Sequence, residues 1–155
     1  MTTRIAYGKM GNEGVVTLGK LEAYIKRCGL ERSLLELVKT RASQLNGCAY
    51  CIDMHTKDAR AAGETEQRLY ALSAWREAPF YSERERAALE WTEALTIISR
   101  SDVPDELYQR VLNHFDEKEL VDLSLAIATI NTWNRLAIGF RTEVGSYKVR
   151  EPARG

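Results

Sequence analysis

Apolar residues recur along this chain at helical spacing, and no segment shows the strict alternation of a half-buried strand. Leu34, Val38, Ala42 and Leu45 form one stripe of a helix predicted over residues 31–45. Asn46-Gly47 ends it, because both residues tolerate the left-handed backbone. Upstream, an arm punctuated by Gly8, Gly11 and Gly14 leads into a helix predicted over 17–28 that stops at Gly29. Downstream, a third helix is predicted over 48–62. Thr65 can cap the next, which ends before Pro79. Ser82-Glu83-Arg84-Glu85 has the form of a capping box and opens a helix to about residue 100, with Ala88, Trp91, Leu95 and Ile98 as its buried stripe. Ser101 or Asp102, followed by Pro104, introduces a short helix to about residue 115. The last and longest runs over 117–144 with two stripes, Leu120, Leu123, Ile127 and Ile130 on one side and Val121, Leu125, Ala128 and Phe140 on the other. A helix apolar on two sides has neighbours on two sides. The pattern predicts an all-α, single-domain bundle of six to seven helices that assembles as an oligomer, with an arm over 1–15, the helical domain over 16–145 and a tail over 146–155.

The 155 residues suffice for one domain with a real core, and 45% hydrophobic with 28% charged residues is the balance of a globular protein. Twenty-two basic against 22 acidic residues leave a net charge of zero, which offers no positive field for nucleic acid or an anionic membrane. No apolar run approaches a membrane span, and the first residues lack the apolar core of a secretory signal, so a cytoplasmic location is expected.

Chemistry concentrates in Asn46-Gly47-Cys48-Ala49-Tyr50-Cys51-Ile52-Asp53-Met54-His55. Three cysteines, Cys28, Cys48 and Cys51, are too few for the disulfide framework of a secreted domain. On a helix, Cys48, Cys51 and His55 fall within about 60° of one another, on the face shared by Ile52, Ala59 and Ala62. Asp53, Lys57 and Arg60 lie opposite. Ideal helix dimensions put the Cα atoms of the two cysteines about 5 Å apart, close enough for a disulfide. The first turn of a helix favours thiolate, and His55 is within reach to accept the proton. Such a pair can attack a peroxide and resolve to a disulfide, or exchange with another disulfide, and the spacing does not separate the two uses.

Glu36, eleven residues, Cys48-Ala49-Tyr50-Cys51, three residues and His55 together resemble the signature of the alkylhydroperoxidase D-like proteins of the carboxymuconolactone decarboxylase superfamily. The run from Cys51 to Ala59 and Asn131-Thr132-Trp133-Asn134-Arg135-Leu136 are similar to that family's helices, so the resemblance extends over roughly residues 15 to 145. It implies an all-helical homo-oligomer, trimeric or hexameric, that reduces hydroperoxides with a dithiol and no cofactor. It further implies that Cys51 attacks the peroxide, that Cys48 closes the disulfide and meets a lipoyl-like or thioredoxin-like reductant, and that Glu36 and His55 relay protons. The chain departs from the pattern at Tyr50, where the family's best-studied members carry histidine.

Other readings of these residues exist. The cysteines could be small buried hydrophobes, and Cys48, Cys51, His55 and Glu36 would make a four-ligand zinc set, though no second ligand pair accompanies them. By periodicity alone Glu36 projects away from the apolar stripe, with Thr40 and Ser43, toward solvent. An antiparallel fold-back at Asn46-Gly47 would instead bring it level with the next helix a few residues past His55, where a neighbouring subunit could cover it. Together with the resemblance, this favours the relay role. Cys28 reads as filler, His114 as structural, and Trp75, Trp91 and Trp133 as packing or interface residues. Asn131, Asn134 and Arg135 interrupt an apolar helix and are expected to form a hydrogen-bonded network inside the oligomer.

Overall fold

A computed structural model describes residues 2–100 and 102–149; Met1, Ser101 and most of the expected 146–155 tail lie outside them. Among the described residues there are seven α-helices and no strand: α1 (Glu13–Ile25), α2 (Arg32–Asn46), α3 (Ala49–Ala61), α4 (Glu66–Ala71), α5 (Glu83–Thr96), α6 (Asp105–Leu112) and α7 (Glu117–Phe140). Short 3-10 turns at Tyr7–Lys9 and Leu72–Ala74 complete the list. The all-α prediction therefore holds.

The caps expected at Thr65 and Ser82 form, Asp116 adds one that the sequence reading did not name, and α6 starts after Pro104 with no side-chain cap. Thr65 accepts from the Arg68 amide, and both the Ser82/Glu85 and the Asp116/Glu119 capping boxes are closed at both ends. Gly47, at φ 69°, takes the left-handed position that ends α2 and turns the chain straight into α3.

Several boundaries differ from expectation. The first helix starts at Glu13 rather than near Thr17, because the Asn12 side chain caps it by accepting from the Val15 amide. It also ends sooner, at Ile25, with Cys28 in the turn that follows. The fifth stops at Thr96, within the β-branched run Thr96-Ile97-Ile98 that resists helix, and this leaves Ile98 exposed rather than buried. The last ends at Phe140, where Arg141 adopts φ 54°.

The central helix is α2, enclosed by α3, α5 and α7. One core cluster joins α1, α2, α5, α6 and α7 around Ile25, Val38, Trp91, Phe115 and Ile127, with the free Cys28 packed at its edge. A second gathers Leu37, Ala59, Leu72, Trp75 and Leu89. The third consists of Ala42, Cys48, Cys51, Ile130 and Ala137, with Tyr50 and Trp133 against it. Of the two stripes on α7, the first is buried within the chain, whereas Val121 and Ala128 of the second are exposed. Trp75 and Trp91 pack in the core as expected, and the His114 carbonyl accepts from Arg84.

Candidate active site

The turn at Gly47 folds α3 back antiparallel on α2, and the two helices meet at defined points. Next to the turn, the Cys48 amide donates to the Ser43 carbonyl at 2.9 Å. Two turns further along, His55 Nδ1 lies 2.8 Å from Glu36 Oε2. Glu36 is thus level with His55 itself rather than with residues beyond it. Only 6% of Glu36 and 5% of His55 is exposed, so the solvated position that periodicity gave Glu36 is overturned. A one-stripe reading assumes a helix with one buried side, and α2 is enclosed on the opposite side as well. Thr40 and Ser43, which share the Glu36 face, are buried with it, and the cover comes from the chain's own α3.

Burial by itself pushes the Glu36 carboxyl up. The hydrogen bond and charge of His55, with the positive charges of Lys39 and Arg32, outweigh that and hold it below the usual glutamate range. Lys39 is buried and ion-paired with Glu22 of α1.

Cys48 caps α3, its sulfur accepting from the Cys51 amide at 3.3 Å. The two cysteines form a disulfide with Cα atoms 5.4 Å apart, close to the separation the sequence predicts. Each is 1% exposed. Their cover is aromatic: Tyr50 and Trp133 pack on the sulfur cluster. Tyr7, from the N-terminal arm, stacks on Trp133 with ring centroids 6.4 Å apart and meets Phe140 at 5.8 Å. Arg4 fastens the arm, donating from its amide to the Phe140 carbonyl and from its guanidinium to the Gly139 carbonyl. Burial, then the nearby Tyr7 and Asp53, raise the Tyr50 phenol above its ordinary value.

The polar network expected of Asn131, Asn134 and Arg135 exists, and it closes within one chain. Asn46 Nδ2 donates to Asn131 Oδ1 at 2.9 Å and to Asn134 Oδ1 at 2.8 Å. Asn134 donates on to Ser43, Asn131 to Thr96, and Arg135 to Asn131. Asn46 ends α2 immediately before the turn, so this network ties the cysteine-bearing corner to α7. In the sequence Asn46 reads only as a helix breaker; the signal for its second role is the polar cluster of Asn131 and Asn134 on α7.

Among the described residues, the ligand-type side chains that converge are Glu36, His55 and Asp58, whose nearest ligand atoms lie within 4.8 Å of one another. That set differs from the four-residue zinc set of the sequence, because Asp58 takes the place of the disulfide-bonded cysteines. Asp58 lies one turn beyond His55 and accepts from the Tyr147 hydroxyl at 2.8 Å.

A profile of the carboxymuconolactone decarboxylase family matches residues 13–94, from the start of α1 to near the end of α5. The uncharacterized protein YdfG of Bacillus subtilis is 50% identical over 146 residues, covering 94% of this chain and 99% of YdfG. A crystal structure of ATU0492 from Agrobacterium tumefaciens, described as a protein of unknown function and putative antioxidant defence protein AhpD, superposes with a TM-score of 0.90 at 43% identity, over 94% of this chain and 100% of that one. An uncharacterized peroxidase-related protein from Silicibacter sp. TM1040 shares the fold at 20% identity, with a TM-score of 0.77 over 86% of this chain and 71% of its own. The fold, the extent of the profile match and these two near-full-length likenesses agree: the chain belongs to the carboxymuconolactone decarboxylase family, as an alkylhydroperoxidase D-like member.

Proposed function

We propose that this chain is a dithiol-dependent peroxidase in which Cys51 is the attacking sulfur, Cys48 the resolving one, and His55 with Glu36 the proton relay. The observation that carries the reading is the buried His55–Glu36 contact on the same helix face as the Cys48–Cys51 disulfide. The relay works because the depressed Glu36 carboxyl stays ionised, accepts from His55 Nδ1 and leaves the other ring nitrogen to exchange a proton. In the dithiol state Cys51 thiolate attacks the terminal peroxide oxygen. The S–O bond forms as the O–O bond breaks, and the departing alkoxide takes its proton from the relay. The sulfenic acid then condenses with the Cys48 thiol, releasing water and forming the disulfide. A dithiol reductant, lipoyl-like or thioredoxin-like, restores both thiols and is itself oxidised to a disulfide.

The depth of the sulfurs favours a small substrate over a protein disulfide. A hydroperoxide, or the dithiol at the tip of a lipoyl-like reductant, needs only a narrow opening beneath Tyr7 and Trp133. A protein disulfide or a thioredoxin-like dithiol needs its own backbone brought to sulfurs that are 1% exposed, which makes the lipoyl-like reductant the better fit of the two. The exposed stripe of Val121 and Ala128 on α7 supports assembly into a homo-oligomer, trimeric or hexameric, through that face. None of the helices among the described residues is long and apolar enough to cross a membrane.

The test is consumption of hydrogen peroxide and an organic hydroperoxide with dihydrolipoamide or dithiothreitol as reductant. Turnover that vanishes in Cys51→Ser supports the reading, and wild-type rates in that variant exclude it. Turnover of protein disulfides without peroxide turnover would assign the chain to thiol–disulfide exchange instead.

A further inference from the structure

Thr40 is fully buried, and among the described residues its hydroxyl is the single buried side-chain oxygen or nitrogen without a hydrogen-bond partner. This is unusual for a helical hydroxyl here. Ser43, Thr92 and Thr129 each donate to the carbonyl four residues back, all at 2.7 Å. The Thr40 hydroxyl makes no such bond to the Glu36 carbonyl. A buried hydroxyl retained without a partner calls for a functional explanation.

Its place in the fold supplies one. The contacts Glu36–His55 and Ser43–Cys48 fix the antiparallel register of α2 on α3. One turn on from Glu36 is Thr40, and one turn back from His55 is Cys51, so the two residues stand opposite each other. Thr40 lies about 40° around the helix from Glu36, on the face that meets α3. Because helical side chains lean toward their own N-terminus, the Thr40 side chain leans toward the His55 level and the Cys51 side chain, on the antiparallel helix, leans toward Cys48, so the two are offset by a small step along the helix axes.

We infer that the Thr40 hydroxyl is a further catalytic residue: in the dithiol form it donates a hydrogen bond to the Cys51 thiolate. The inference rests on the dithiol/disulfide cycle proposed above. When a reductant thiolate attacks Cys48, the Cys48–Cys51 bond breaks and its electron pair leaves on Cys51. Attack by the reductant's second thiol then releases Cys48 as a thiol and closes the reductant's disulfide. Over the whole step the reductant loses two electrons and two protons; one proton is kept on Cys48 and the other is released through His55. Neither disulfide sulfur is in hydrogen-bonding position for the Thr40 hydroxyl, whereas a freed Cys51 side chain can turn about its Cα–Cβ bond and, as a thiolate, accepts strongly. Thr40 is thus unsatisfied in the oxidised state and satisfied in the reduced one, and it shifts the equilibrium toward dithiol. Tyr50, the titratable group packed on the sulfur cluster, stays neutral where thiols ionise, leaving Thr40 and His55 as the groups in register to stabilise Cys51.

The experiment equilibrates full-length wild type, Thr40→Val and Thr40→Ser in dithiothreitol redox buffers and counts free thiols by mass spectrometry. Valine keeps the shape and removes the donor; serine keeps the donor. Thr40→Val should shift the equilibrium about tenfold toward disulfide, about 30 mV more negative for two electrons, while Thr40→Ser stays near wild type. The melting temperature of the oxidised Thr40→Val protein should not fall, since no hydrogen bond is lost, whereas that of the reduced protein should. A merely structural threonine would lower both. If Thr40→Val does not fold, Thr40→Ala carries the same comparison with the same sign. An unchanged equilibrium in a folded donor-less variant, or Thr40→Ser behaving like Thr40→Val, overturns the inference and leaves the peroxidase reading standing. A disulfide that no dithiol reduces in any of the proteins overturns both.

Discussion

His55 Nδ1 and Glu36 Oε2 meet at 2.8 Å inside the protein, across 19 residues of chain and the single turn that separates α2 from α3. Neither residue has a comparable claim alone: a buried carboxylate needs a partner, and an imidazole fixed at one nitrogen has a defined task for the other. Glu36→Gln keeps the shape and removes the charge. Peroxide turnover should drop by about 10²- to 10⁴-fold, the range of general acid–base catalysis, with the far smaller loss of about 1 kcal/mol in stability expected when a charged hydrogen bond becomes neutral. Steady-state rates and urea unfolding of the same preparations separate the two effects.

Acid should weaken the fold through the same contact. The Glu36 carboxyl is lower in the folded protein than in the unfolded chain, so its contribution is complete above the unfolded value, about 4.3, and is lost as pH falls through the folded one. Urea midpoints measured from neutral pH downward should stay flat through the weakly acidic range and then decline. In Glu36→Gln part of that decline should be missing; identical profiles would remove Glu36 from the account.

Access to the sulfurs should depend on the arm. Tyr7 rests on Trp133 and Phe140 above the sulfur cluster, held by Arg4 at the end of α7. Deleting the first eleven residues leaves the Asn12 cap of α1 in place. This should speed disulfide reduction by a small phosphine at least severalfold, and Tyr7→Ala should do so to a lesser degree. Equal rates in all three proteins would show that the path to the sulfurs runs elsewhere.

Asn134 is fully buried and joins Asn46 to Ser43. Asn134→Ala removes one hydrogen bond each from Asn46 and Ser43, which keep their bonds to Asn131 and the Lys39 carbonyl, so at about 0.5–1.5 kcal/mol per bond a loss of about 1–3 kcal/mol is expected in chemical denaturation. Asn134→Asp, which keeps acceptors but lacks the donor to Ser43, should be destabilised as well.

Assembly should depend on the outer stripe of α7. Val121→Asp, at a position 60% exposed in the single chain, should shift sedimentation toward monomer without changing helical content. An unaltered distribution would place the interface on another face.

Local rules made much of this protein readable from its sequence. Cys48, Cys51 and His55 are close because three- and four-residue steps on a helix make neighbours in any context, and the Ser82 and Gly47 punctuation is equally local. The start of α1 at Glu13 and the end of α5 at Thr96 depart from apolar periodicity because Asn12 capping and a β-branched run compete with it over a few residues. Tertiary structure decided the rest. Glu36, Thr40 and Ser43 form a polar face that a one-sided helix would turn to water. They are interior here because α2 is the central element, covered by α3 on the side opposite its apolar stripe. Which residue meets which across that contact, Glu36 with His55 above all, is fixed by where Gly47 turns the chain and by Asn46 anchoring that corner to α7. Such a register is a property of two packed helices and is carried by neither sequence segment on its own.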